Sequence, residues 1–141
     1  YNTTLPYPNI QLNHELLFAE QMFAVSPLSM GVRVGGASEF AGLSAAPNYK
    51  RSDNLLALAK RFLPELDTQN GQKWMGHRPS TPDSLPVLGP SVKWQGLAYA
   101  FGHAHLGMTQ AATSGQMLAE VLLEPEKGTD LSAYSIGRFN G

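Results

Sequence analysis

Cysteine is absent from this 141-residue chain. That excludes a disulfide framework, a cysteine-based zinc site, an iron–sulfur cluster and a thiol nucleophile. Charge is also scarce: charged residues make up 15% of the chain, and the formal net charge is -1. Such an even balance carries no electrostatic footprint for nucleic acid or for an anionic membrane surface. No apolar run is long enough to span a bilayer, and the opening residues lack the pattern of a signal peptide. Internal repeats and low-complexity tracts are missing. So are a phosphate-binding P-loop and the dinucleotide fingerprint Gly-x-Gly-x-x-Gly. No serine–histidine–acid array can be read from spacing.

What is present suits a globular chain. Hydrophobic residues reach 43%, enough for a core and too many for disorder. The 14 Gly and 10 Pro predict frequent turns. The length predicts one domain, or one domain with part of another. The chain opens on Tyr1-Asn2-Thr3-Thr4-Leu5, an extended, strand-like segment, and the expectation is a piece of a longer protein.

Residues 1 to 47 read as β-rich. Leu16-Leu17-Phe18-Ala19 and Met22-Phe23-Ala24-Val25 are apolar runs of strand length, and Met30 to Ala37 alternates. Glu20-Gln21 and Ser26-Pro27-Leu28-Ser29 are spaced as turns, which predicts an antiparallel meander. Gly35-Gly36 would weaken a strand centre, so a bulge or a close backbone approach is expected there. After a loop at 43 to 50, Leu55, Leu58, Ala59, Phe62 and Leu63 recur with a 3.6-residue period. This predicts a helix over about 52 to 63, capped by Ser52 or Asp53, packed by a Leu55/Leu58/Phe62 face and stopped by Pro64.

Gln72 to His77 reads as a further strand, and Thr81-Pro82-Asp83-Ser84 as a turn. Pro86 to Gly89 is expected to be a short edge strand or extended connector. Gly96 to Phe101 is apolar without alternation, the pattern of a strand buried on both faces in a parallel sheet. It leads through the glycine-containing turn Gly102 to Thr109 into a helix. The expected packing face of that helix is Met108, Ala111, Ala112, Gly115, Leu118, Ala119 and Leu122, ending at Glu124-Pro125. Gly115 inside it costs about 1 kcal/mol against Ala, which a close approach to a sheet or ligand would compensate. The tail from Asp130 is polar and expected on the surface. The fold class is therefore α+β: an antiparallel sheet with a packed helix, then a strand–turn–helix unit of α/β type whose partner strands lie elsewhere.

Two places can carry chemistry. The Gly102–Thr109 turn places free backbone N–H groups and the positive end of a helix dipole after a strand, which suits an anion or developing negative charge. Equally, the glycines can simply serve a strand–helix connector. Within it, His103 and His105 would point the same way on an extended backbone, as a metal requires, yet no third ligand is evident; packing against a cofactor or a backbone carbonyl is the other reading. Arg78, followed by Pro79, stands at a strand end. It can clamp a carboxylate with two parallel hydrogen bonds, or sit in a surface ion pair.

Trp74-x-Gly76-x-Arg78-Pro79-x-Thr81-Pro82-Asp83-x-Leu85-Pro86-Val87-Leu88-Gly89, followed by Gly102-His103-x-His105-Leu106-Gly107-Met108-Thr109, resembles the C-terminal part of the FAD-dependent D-amino-acid oxidase and dehydrogenase superfamily. The bacterial D-amino-acid dehydrogenases are the nearest subgroup, with glycine oxidase and D-hydroxyproline dehydrogenase as cousins. The resemblance implies an end of the substrate-binding domain over 1–78, an end of the FAD-binding domain over 79–130, and a tail over 131–141. It implies that Arg78 binds the substrate carboxylate. It also implies that the backbone of Gly102, His103, Ala104, His105, Leu106, Gly107, Met108 and Thr109 faces the flavin pyrimidine edge. There the helix start would stabilise charge at N1 and C2=O.

The resemblance further implies hydride transfer from the substrate α-carbon to the flavin, which requires no catalytic protein nucleophile; no metal is expected either, since no third ligand accompanies His103 and His105. The cofactor implied is FAD in the parent protein, not retained by this chain alone, because the family's N-terminal Gly-x-Gly-x-x-Gly unit is missing from it. The partners implied are an amino acid or amine substrate, that missing FAD-binding segment, and another copy of the chain through exposed strand edges. No nucleic acid and no transmembrane segment are expected. The implied location is cytoplasmic, or peripheral at the inner face of a bacterial membrane. The alternative is a small non-catalytic ligand-binding or interaction domain on the same scaffold.

Overall fold

The computed structural model describes residues 1–126 and 128–139. Lys127, Asn140 and Gly141 lie outside the described residues, so those positions of the expected 79–130 segment and 131–141 tail do too. The chain divides into two compact units, Tyr1–His77 and Arg78–Gly141. Among the described residues they hold two antiparallel sheets and two long helices, a mixture of α and β structure.

In the first unit, β1 (Asn2–Leu5), β2 (Leu16–Phe18), β3 (Phe23–Leu28), β4 (Gly31–Gly35) and β5 (Gln72–Trp74) form one sheet in the order β2-β3-β4-β1-β5. Every neighbouring pair is antiparallel. The consecutive β2-β3-β4 run is the expected meander. Alternation sets the buried face: Thr3 and Leu5 on β1, Phe23 and Val25 on β3, Val32 and Val34 on β4 are all buried.

The helix α1 (Lys50–Phe62) covers that face with Ser52, Leu55, Leu56 and Ala59, and Leu66 closes the core beyond it. Its buried stripe is rotated from the expected one. Leu58 is half-buried and Phe62 lies at the margin, where its ring meets Phe18 and Phe23. The cap differs as well. Tyr49 is the N-cap without a side-chain bond, and Asn48 Oδ1 accepts from the Lys50 N–H instead. Ser52 is fully buried inside the helix, facing the sheet, where it cannot cap.

Ser26-Pro27 does not turn. Both lie in β3, and the two-residue turn is Ser29-Met30. Leu28 and Gly31 close that turn, so by alternation Pro27 and Val32 form the next, non-hydrogen-bonded pair. Pro27 therefore loses no ladder bond there, and β2 stops short of its other side. Gly36 makes the expected close approach: at φ +148°, its side-chain position would meet the Met22 carbonyl oxygen at 2.5 Å.

The loop between β4 and α1 is tied down by Glu39. Its carboxylate accepts from Tyr1 Oη (2.6 Å) and Arg51 Nη2 (3.0 Å). The Arg51 bond first, then the Tyr1 bond, holds the Glu39 carboxyl below its usual range.

In the second unit, β6 (Val87–Pro90) pairs antiparallel with β7 (Ala98–Phe101). A 3-10 turn, Ala104–Leu106, leads into α2 (Gly107–Leu123), and two more 3-10 turns follow at Ser132–Tyr134 and Ile136–Phe139. β6 is the short edge strand expected, with β7 as its one strand neighbour, and its Val87, Leu88 and Gly89 are buried because β6 also meets α2 and both C-terminal 3-10 turns. One expectation reverses here. The apolar β7, expected to be buried on both faces in a parallel sheet, is half-buried to exposed and antiparallel, because it has one strand neighbour.

The expected face of α2 is also outward: Met108 is 96% exposed, Ala111, Ala112, Gly115 and Ala119 are exposed, and Leu118 is half-buried. Ser114 is the one buried residue of the helix. Nothing lies within 4 Å of a side chain placed at Gly115. Among the described residues, no helix is long and apolar enough to cross a membrane.

Candidate functional site

From Arg78 onward, the first motif's segment meets the second motif's turn within the second unit. The Thr81-Pro82-Asp83-Ser84 turn forms as expected, with the Ser84 N–H donating to the Thr81 carbonyl at 3.2 Å. The Thr81 hydroxyl donates to the Leu85 carbonyl at 2.7 Å, and the Leu85 N–H to Asp83 Oδ1 at 3.1 Å. This turn carries the chain from Arg78-Pro79-Ser80 into β6. An isolated antiparallel bridge, Ser80 with His103, and a hydrogen bond from the Ala104 N–H to the Pro79 carbonyl (3.1 Å) fasten it to the turn after β7.

Gly102 allows that approach. Its φ is +84°, and a side chain there would meet Thr81 Cγ2 at 2.8 Å. Ala104 is held at φ +47°, a left-handed conformation unusual for a residue with a side chain.

With the backbones joined, Arg78 Nη1 lies 2.9 Å from His105 Nε2. Arginine has no acceptor and stays charged. Arg78 therefore donates, His105 Nε2 accepts, and the imidazole proton is assigned to Nδ1. His103 turns elsewhere: its Nε2 lies 2.9 Å from the Ser114 hydroxyl on α2. The 3-10 turn has replaced the extended backbone on which two imidazoles would converge. Among the described residues, no group of three or more His, Asp or Glu side chains gathers as a metal site would require.

The other residues singled out from sequence lie around this pair. Gly102 is buried; His103, Ala104 and Gly107 are half-buried; His105, Leu106, Met108 and Thr109 are exposed, as is Arg78. No side chain caps the first turn of α2, and no acidic residue stands in it. Its N–H groups and positive dipole end are thus unopposed by a carboxylate.

Sequence reasoning missed two supports. Ser114 lacks any local signal, since its partner is eleven positions earlier across a turn. Arg138 lies in the tail that was expected to be merely polar. It donates to both oxygens of Asp83 (2.6 and 3.3 Å) and to the carbonyls of Leu85 (2.7 Å), Tyr134 (2.8 Å) and Ser135 (3.0 Å). The Arg138 bonds are the main reason that the Asp83 carboxyl falls from 3.8 to about 2.

Comparison with known proteins agrees with the motif resemblance. A family profile described as FAD dependent oxidoreductase matches residues 2–121. A D-amino-acid oxidase of Bradyrhizobium diazoefficiens is 31% identical over 143 aligned positions, covering 99% of this chain and 34% of that protein. The chain thus spans about a third of the length of the curated relative it matches. The match falls in the N-terminal part of that relative. This corrects the expectation of a C-terminal piece. Motif order says which segment matches, not where that segment sits in a longer protein, and the Gly-x-Gly-x-x-Gly run that the resemblance puts at the N-terminal end is not in this sequence. Because the profile runs without a break through both the Trp74–Gly89 segment and the Gly102–Thr109 turn, and the relative aligns along nearly the whole chain, this protein belongs to the FAD dependent oxidoreductase family.

Proposed function

We propose that the chain forms part of an enzyme that oxidises D-amino acids or related amines, with Arg78 as the carboxylate clamp and Gly102–Thr109 as the flavin-facing turn. One observation carries the reading: the Arg78 guanidinium lies 2.9 Å from His105, within the turn proposed to face the flavin. A substrate held by Arg78 would thus be held beside that turn. The residues suit the cofactor. Gly102, at φ +84°, keeps the backbone bare of a side chain, and the uncapped, acid-free start of α2 suits the electronegative edge of a flavin ring. Leu106 and Met108, both exposed, offer apolar surface to a planar ring.

Bound FAD supplies the hydride acceptor. This chain's own residues bind and orient. Arg78 offers a planar two-bond fork that fixes a carboxylate in direction as well as place, which a lysine ammonium cannot do. The backbone N–H groups at the start of α2 meet negative charge with fixed dipoles.

The test is Arg78→Lys in the intact FAD-loaded enzyme. Hydrogen bonds to charged groups contribute about 1.5–3 kcal/mol, or about one to two powers of ten in binding. KM for a D-amino acid is expected to rise by that order, and kcat to fall because attack geometry is lost. Flavin occupancy, read by absorbance, is expected to stay unchanged. Wild-type kinetics, or loss of flavin in place of substrate affinity, would refute the assignment.

A further inference from the structure

We propose that His105, in its neutral Nδ1–H form, is a positioning residue: it holds the Arg78 guanidinium so that one fork stays free for a carboxylate, and its protonation releases that hold. The proposal rests on the reading of Arg78 as a carboxylate clamp and assigns a control to it.

The stereochemistry of the guanidinium group carries the argument. Arg78 spends Nη1 on His105 Nε2 at 2.9 Å. Nη1 is the nitrogen on the Cδ side, so Nε and Nη2 remain as an intact pair of parallel donors along the opposite edge. That edge accepts a carboxylate bidentately. Without the imidazole, an exposed arginine turns freely and its fork has no preferred direction.

Protonation puts an N–H on Nε2, facing the Nη1 donor. The contact then becomes a repulsion between two cations. The backbone does not let the pair drift apart: the Ser80–His103 bridge and the Ala104 N–H to Pro79 carbonyl bond still join the two segments. Arg78 must rotate away, and the fork turns with it.

A second cation would by itself attract an anion, so two effects compete. At an exposed site an extra charge changes affinity by no more than about fivefold. A fixed charge-assisted fork is worth about ten- to a hundredfold. Orientation wins, so carboxylate affinity is lower with His105 doubly protonated and higher with it neutral.

Among the described residues, the elements packed around His105 carry the following charged and titratable groups. His103, on the same turn, is engaged by Ser114. The first turn of α2 carries no acid, and the first titratable side chain along that helix is Glu120. In β7 the titratable group is Tyr99, bonded to Ser91. On the facing segment they are Arg78 itself and, in the Thr81–Ser84 turn, Asp83, which is bonded to Arg138; His77 precedes Arg78 in sequence and serves as the control.

Two measurements decide the matter. In the 141-residue chain, imidazole ¹⁵N spectra should show His105 as the Nδ1–H tautomer at high pH, with the Arg78 Nε–H signal shifting at the same midpoint as His105. In the intact FAD-loaded enzyme, the inhibition constant of propionate, a carboxylate without an amine, should tighten about tenfold from pH 6 to pH 8. His105→Gln keeps an acceptor that does not titrate and should flatten that profile, whereas His77→Gln should leave it in place.

An Nε2–H tautomer, separate midpoints for His105 and Arg78, or a pH-dependent profile persisting in His105→Gln would overturn the proposal. The two readings fail differently. If Arg78→Lys weakens propionate while His105→Gln keeps the wild-type profile, the control alone is wrong. If Arg78→Lys leaves propionate unaffected at both pH values, the clamp is wrong and the control falls with it.

Discussion

Gly102 and Gly115 lie thirteen positions apart, and replacing each by alanine should move stability in opposite directions. At Gly102 the backbone sits at φ +84°, and the new Cβ would meet Thr81 Cγ2 at 2.8 Å. The left-handed conformation costs a residue with a side chain about 1–2 kcal/mol. Thr81 cannot give way cheaply, since its hydroxyl is bonded to the Leu85 carbonyl at 2.7 Å; overpacking of this kind costs about 1–3 kcal/mol. The stiffer unfolded chain returns about 0.4–1 kcal/mol. The balance is a destabilisation of about 3 kcal/mol for Gly102→Ala.

Gly115 lies within α2 with nothing inside 4 Å of a new Cβ, so Gly115→Ala should stabilise by about 1 kcal/mol through helix propensity. Urea unfolding followed by the amide signals of α2 reads the second unit separately from the first. The midpoint should fall for Gly102→Ala and rise for Gly115→Ala, with unchanged slope. Shifts of the same sign, or a Gly102→Ala change smaller than about 0.5 kcal/mol, would show that neither the positive φ nor the Thr81 contact constrains this turn.

Other outcomes follow from particular contacts. The Asp83 carboxyl, lowered from 3.8 to about 2 chiefly by Arg138, favours the folded state above its unfolded value. That contribution should fade as pH falls from about 4 through 2, and Arg138→Met should flatten this part of a stability–pH curve; an unchanged slope would argue against the pair. Phe23 is 1% exposed and stacks on Phe18 at 4.4 Å, so Phe23→Ala should cost about 3–5 kcal/mol in urea unfolding of the first unit. A loss under about 1 kcal/mol would place the core elsewhere. Finally, the 141-residue chain soaked in FAD and desalted should be colourless, because it lacks the pyrophosphate fingerprint; a stoichiometric yellow complex would contradict this.

Local patterns determined much of this protein from sequence alone. The 3.6-residue recurrence from Leu55 to Leu63 marked α1, the short apolar runs before it marked the meander, and Thr81-Pro82-Asp83-Ser84 marked its turn. These signals are legible because they depend on residues within a few positions of one another. Gly35-Gly36 announced a close approach because few other residues tolerate one. The resemblance in the Trp74–Gly89 and Gly102–Thr109 segments was likewise carried by contiguous residues.

Tertiary pairing decided the rest. Hydropathy could show that Val87–Gly89 and Ala98–Phe101 were apolar, but which of them is covered depends on where α2 and the C-terminal 3-10 turns pack. The outward face of α2 was decided in the same way, with Ser114 bonded to His103 on its buried side. Arg138 reaches Asp83, and Arg78 reaches His105, across separations that carry no periodic signal. A hydrogen bond between distant residues is created by backbone geometry. Here the Ser80–His103 bridge and a glycine at φ +84° place Arg78 against His105, and neither residue type announces the other in the sequence.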